Sequence, residues 1–451
     1  MPLTGTKYIP DGALVTANST RDPVMDSFGR GRVSLPSVIF EQNFSQAPAD
    51  PIFEKTAYGS GTLTNTLNSG TTNLNTVATA SGNGYWIQSY QYIRYAPGIS
   101  TLQRFTFTFA PFTANLTQRV GMFSDQAATG SAPSGIGDGL FLEVAGTTVN
   151  LVLRNYVGGT VNEIRVPQSQ WTLDHMDGTG PTMGNPSGIN INWAVPQHFI
   201  MQFQYLGVGV IRMGFNTQYE TVWAHEFVSV NALTTPYART GSFPVRAEIY
   251  TTGTIPAAAT LQLINMTVIQ ETDGTRKRGW RYFSGNSGTT ASAIGTANAL
   301  YPLLAVRAVL TNDLTKRATI IPVRVRIAVL TAGTGTTAIQ WAVVAMPTPM
   351  TSATFGISPA PASICEIDQS AAEGTAVTGE YLFSGTLPNT VGAYDFDLTQ
   401  CDDNQIRVAQ NAAGSLTITG INVLTVAVGS FQGTSTIAPT FAVSLDWKEI
   451  Y

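Results

Sequence analysis

Residues 193–250 read WAVPQHFIMQFQYLGVGVIRMGFNTQYETVWAHEFVSVNALTTPYARTGSFPVRAEIY. This stretch decides the fold. Two β-rich runs, 199–205 and 208–215, flank Leu206-Gly207, and two more follow at 219–228 and 243–250. Phe199, Met201, Phe203 and Tyr205 fall on one face of the first run, and Val245, Ala247 and Ile249 on one face of the last. Period-two alternation of aromatic and branched residues marks half-buried strands, and short turns between such runs mark an antiparallel sheet closing into a sandwich.

The pattern extends in both directions. Upstream, residues 102–109 (LQRFTFTF) set Phe105, Phe107 and Phe109 against Thr106 and Thr108. TVNLVLRNYV at 148–157 puts Val149, Leu151 and Leu153 on one face, and LQLINMTVIQ at 261–270 reads as the last strand of this sandwich. About a dozen strands are expected between residues 33 and 270, with almost no helical period. Downstream, IIPVRVRIAVL at 320–330 alternates Val323, Val325, Ile327 and Val329 with Arg324 and Arg326. Strands recur to the closing FAVSLDWKEIY. The predicted class is therefore all-β, with two antiparallel jelly-roll-like β-sandwiches. The expected division is an extended N-terminal arm over 1–45, whose strand-forming end fits equally the first strand of the sandwich, a first jelly-roll-like sandwich over 46–270, a linker over 271–300 and a second sandwich over 301–451.

Composition narrows the function. Charged residues make up 12% of the 451, about half the usual ~25%. Short neutral polar residues replace them, which suits sheet faces that meet other protein. A net charge of −4 disfavours nucleic acid as a partner. No run of about 18 apolar residues suggests a membrane helix, and the first residues lack the pattern of a secretory signal. Two cysteines, Cys365 and Cys401, give no disulfide framework.

Candidate chemistry is sparse. His175, His198 and His225 stand at no metal-ligand spacing, and a packed sheet histidine is the expected reading of His225. Glu366, Asp368 and Glu373 approach the paired-carboxylate pattern of sandwich glycosidases, but Glu373 is seven positions beyond Glu366 where five are needed. Asp174 and Asp177 could offer oxygens to calcium, although a surface turn fits them better. Trp86, Tyr90 and Tyr92 fall on one face of an aromatic run and could stack on a glycan. Arg276, Arg278 and Trp280, in a basic and aromatic cluster, are candidate assembly contacts, as are Phe28, Arg30 and Arg32 of the arm. No cofactor or metal is expected.

DSFGRGRVSLPSVIFEQNF, YQYIRYAPGISTLQRFTFTF, QYLGVGVIRMGFNTQYETVWAHEFVSVNA and FPVRAEI resemble, in this order, a family of tailed-bacteriophage virion structural proteins, of tail-fibre-like or head-decoration type. The series VGMF, GDGLFLEV and TTVNLVLRN is similar to a concanavalin-A-like lectin jelly roll. The resemblance implies a non-enzymatic virion component, localised to the virion. It would assemble with itself, as a trimer, and with capsid or tail proteins, by strand addition and sheet packing. The alternative expectation is a receptor-binding protein for host glycan, and a more remote one is a polysaccharide hydrolase.

Overall fold

The computed structural model describes residues 7–8, 14–15, 36–48, 52–65, 69–77, 79–125, 132–217 and 220–271 of one compact unit, Met1–Arg276. In the second, Lys277–Tyr451, it describes residues 279–286, 290–291, 299–308, 319–334, 338–350, 353–361, 363, 365–369, 376–398, 406–407, 423–430 and 439–450. The molecule is all-β and antiparallel, and among the described residues its helical elements are two single 3₁₀ turns, Val157–Gly159 and Gln168–Gln170.

In the first unit β1 (Lys7–Tyr8) pairs only with β2 (Leu14–Val15) among the described strands. Two large sheets form the sandwich. The seven-stranded sheet runs in the order β12 (Asn162–Pro167), β11 (Thr148–Asn155), β10 (Gly139–Ala145), β9 (Leu116–Phe123), β16 (Phe243–Thr251), β7 (Gly84–Ile93) and β4 (Phe53–Tyr58). The eight-stranded sheet runs β15 (Thr221–Phe227), β14 (Ile211–Asn216), β13 (Gln197–Phe203), β8 (Thr101–Thr108), β17 (Thr260–Glu271), β6 (Thr72–Asn75) and β5 (Thr62–Asn65), with β3 (Pro36–Asn43) also on β17.

The predicted faces meet in the core between these sheets. Phe199, Met201 and Phe203 enter it from β13, Phe105 and Phe107 from β8, Val245, Ala247 and Ile249 from β16, and Val149, Leu151 and Leu153 from β11. Burying each of these side chains larger than alanine contributes roughly 1.5–3 kcal/mol.

Three departures have local causes. The run 208–215 begins as a turn, with Leu206 and Gly207 both at positive φ (+38° and +76°), so β14 starts only at Ile211. A register shift between Met213 and Gly214 sends Phe227 into the core while Trp223 packs outside with Leu102 and Ile200. The boundary placed at residue 46 falls too late: residues 36–43, left open between an arm and a first strand, are strand β3 on β17, with Phe40 and Phe44 buried in the sandwich core.

The second unit has a six-stranded sheet, β18 (Trp280–Gly285), β28 (Thr440–Ile450), β21 (Thr319–Thr331) and β25 (Gly392–Asp397), with β19 (Thr290–Ala291) on β28 and β26 (Ile406–Arg407) on β21. Facing it is a five-stranded sheet, β23 (Cys365–Asp368), β20 (Tyr301–Ala308), β27 (Val423–Ser430), β22 (Ala338–Thr348) and β24 (Thr378–Pro388). Val325, Ile327 and Val329 pack against Trp341, Val343, Val426 and Trp447. Residues 280–285, assigned to the linker from sequence, are an edge strand of this unit. Tyr282 stacks toward Trp447 and ties the strand to the core.

Candidate functional site

On the side of the seven-stranded sheet away from the core, buried charged groups converge. Antiparallel pairing aligns residues across it in rungs. One rung runs Glu54, Gln88, Arg246, Gly121, Phe141, Val152 and Arg165 across β4, β7, β16, β9, β10, β11 and β12. The next runs Thr56, Trp86, Glu248, Arg119, Glu143 and Asn150 from β4 to β11. Gly121 has no alternative in this array, because a Cβ there would lie 2.4 Å from the Leu140 carbonyl oxygen.

Opposite charges alternate along the second rung, and the arginines of the first reach across to its glutamates. Arg119 donates from Nε to Glu143 Oε2 (2.7 Å) and from Nη1 to Glu248 Oε1 (2.8 Å). Arg246 donates from Nε to Glu248 Oε2 at 2.7 Å and from Nη1 to Gln88 at 3.0 Å. Arg165 donates from Nε to the other oxygen of Glu143 at 2.8 Å. Burial alone would raise the Glu143 carboxyl, but Arg119 and Arg165 outweigh it and hold it below the ordinary carboxylate range. Burial works against the Arg119 charge too, and Tyr250, Glu248 and Glu143 more than restore it. Arg154, wedged between the rings of Phe123 and Phe141, is buried against Asp125 and Glu163, both at 3.7 Å.

One carboxyl stands apart. Glu54, on edge strand β4, retains partial solvent contact. Burial pushes its pKa up from 4.5 to about 7, with Arg246 pulling the other way.

These carboxylates are engaged chemically. Glu143 and Glu248 each spend both oxygens on arginines, so neither is free to donate a proton or attack a sugar. The centre of the face is also closed. Glu143, Glu248, Arg154 and Arg246 have 0% side-chain exposure.

The sequence candidates fare unevenly. Trp86 is 2% exposed and lies under the Arg246 guanidinium, 4.2 Å from its ring, so it is no sugar platform. The guanidinium packed over its ring is the physical reason for this correction. Tyr90 and Tyr92 are half-buried. Phe28, Arg30, Arg32, Arg276 and Arg278 lie outside the described residues, as do Glu373 and Cys401. Trp280 is 70% exposed. Glu366 pairs with Arg307 at 2.7 Å, and Asp368 is buried and accepts the Thr354 amide at 2.9 Å. Asp174 accepts the amides of Met176 and Ser187, both at 2.8 Å, while Asp177 accepts the Thr179 hydroxyl at 2.7 Å, so both close turns. Among the described residues no group of three or more His, Cys, Asp or Glu is placed to hold a metal. His225 is buried between the Thr172 amide (3.2 Å) and the Phe227 ring, and burial lowers its pKa to about 4.

The ion-paired face was missed from sequence. Its signal is present, since LTQRVGMF, GLFLEVA and FPVRAEIYT each carry Arg or Glu inside otherwise apolar strands. Charges so placed must either point to water or pair with one another.

No protein-family model matches the chain, and no curated protein matches it. Solved structures do. A prokaryotic β-1,3-1,4-glucanase (lichenase) derived from a mouse hindgut metagenome aligns at 12% identity and TM-score 0.33, covering 51% of this chain and 97% of that one. The CBM2 module of the evolved Dit of Lactobacillus casei BL23 phage J-1 aligns at 8% identity and TM-score 0.34, covering 53% and 98%. Winged bean acidic lectin, complexed with methyl-α-D-galactose, aligns at 8% identity and TM-score 0.32, covering 52% and 99%.

Proposed function

We propose that this chain is a non-enzymatic structural component of a tailed-bacteriophage virion, in a capsid decoration, head fibre or tail fibre. It assembles there with copies of itself, as a trimer, and with other virion proteins. The ordered resemblance of its stretches to such proteins supports this reading, as does the engagement of Glu143, Glu248 and Glu366 in ion pairs.

The observation that carries it is the edge of the six-stranded sheet. Among the described strands β18 bonds only to β28, and no described strand occupies its outer edge, where a further strand could add. Along it Trp280 and Phe283 are 70% and 75% exposed. Arg281, between them, is held by Asp446 at 2.8 Å. Large exposed aromatics beside an open edge suit strand addition and contact with protein. Covering both removes about 300 Å² of apolar surface, worth about 7 kcal/mol before the costs of association.

The test is light scattering on the purified chain together with binding to particles that lack it. Wild type should be oligomeric and should rebind such particles, and Trp280→Ser with Phe283→Ser should lose both. A wild-type monomer that ignores the particles sinks the reading.

A further inference from the structure

The first unit carries a second, quite different surface feature. A cleft of about 300 Å³ opens where the β10–β11 turn meets the end of β12 and the 3₁₀ turn Gln168–Gln170. Its apolar wall is Phe112 and Trp193, with ring centroids 6.1 Å apart and planes tilted by 42°. Both rings are half-buried. They form the outer end of an aromatic series that runs inward through Phe109 and Phe215 to Trp171. That series fixes them on the sandwich core.

The rest of the lining is neutral and polar. Thr147, Thr148 and Ser169 are exposed, and their hydroxyls bond to no described residue. Gln168 is held rigidly: its Nε2 donates to the His175 and Met176 carbonyls (2.8 and 3.2 Å), and its Oε1 accepts from Trp193 Nε1 at 3.3 Å. No ionisable side chain lines the cleft.

We infer that this cleft binds an uncharged sugar ring. Aromatic faces take up the C–H face of a pyranose, while free hydroxyls and a fixed amide meet its hydroxyl groups. Phosphate and carboxylate ligands find no cation there. The inference is independent of the virion reading and relocates glycan binding from Trp86 to Trp193.

The full chain is tested by saturation-transfer NMR against glucose, galactose, rhamnose, N-acetylglucosamine, N-acetylgalactosamine and their short oligomers, with glucuronate as the charged control. At least one neutral sugar should bind, with a dissociation constant on the order of 1 mM, as expected for one shallow subsite. Thr148→Tyr and Ser169→Tyr fill the cleft from exposed positions without touching the core, and each should weaken binding at least tenfold while leaving the melting temperature unchanged. The inference is overturned if no neutral sugar binds. It is equally overturned if glucuronate binds better, if both filled variants bind as wild type does, or if binding is lost only in Tyr90→Ser or Tyr92→Ser.

Discussion

Glu54→Gln is expected to stabilise the first unit by an amount that grows as pH rises from about 4.5 to about 7 and is full above that. The Glu54 carboxyl sits beside Gln88 and Arg246 at the margin of the buried face, and burial raises its pKa from 4.5 to about 7. A carboxyl with a raised folded pKa keeps its proton longer in the folded chain than in the unfolded one. Stability therefore falls as pH rises from about 4.5 to about 7, and the cost is fully present above that window. At 1.36 kcal/mol per unit, the shift corresponds to about 3 kcal/mol. Partial solvent contact reduces this, so a gain of about 1–3 kcal/mol is expected for the glutamine at pH 8, and none at pH 4. For a unit of this size the gain equals roughly 2–4 °C per kcal/mol in melting temperature. The assay is scanning calorimetry or denaturant unfolding of wild type and variant at pH 4, 5, 6, 7 and 8, with the difference plotted against pH. His225 complicates the wild-type curve alone: its folded pKa is depressed to about 4, so its contribution rises with pH where that of Glu54 falls. The difference between the two proteins removes the histidine. A glutamine variant that is less stable at pH 8 would refute the reasoning, since it would mean that the carboxylate forms a stabilising pair with Arg246.

His225→Gln should abolish a loss of stability of up to about 3 kcal/mol that develops as pH falls from 6.5 to 4, measured by the same titration. Arg119→Met leaves Glu143 and Glu248 each with one remaining arginine, so denaturant unfolding should show a loss of about 3 kcal/mol, at the low end for a broken buried pair. Replacing Trp280 or Phe283 by Ser should leave unfolding within about 0.5 kcal/mol of wild type, since both are mostly in water, while reducing oligomer formation in light scattering.

Much of the fold was legible because one face of each strand is apolar. Phe105, Phe107, Phe199, Met201, Val245 and Ile249 all reach the core that their alternation assigned them. The opposite face was not legible. Period two says that Arg119, Glu143, Arg246 and Glu248 point away from the core, and polar residues so placed are ordinarily in water. They are buried instead because three neighbouring strands bring opposite charges into register, which depends on strand order. The same covering hides Trp86, whose partner Arg246 is 160 residues distant in sequence. The cleft at Trp193 was invisible for a related reason. Phe112, Thr148, Gln168 and Trp193 come from four separate segments, and no one of them carries a local pattern. Edge strand β18 was read as linker because Gly, Ser and charged residues surround it. Its pairing with the distant β28, and the contact of Tyr282 with Trp447, reveal it as a strand.

The role in the particle is tested most directly by washing purified phage particles free of soluble protein, identifying their chains by mass spectrometry and reconstructing the particle at a resolution that traces strands. This chain should appear in a fixed copy number per particle, with the β18 edge and Trp280 covered by a neighbouring subunit. Particles that contain none of it, or that carry it with Trp280 and Phe283 still facing water, would contradict the assignment.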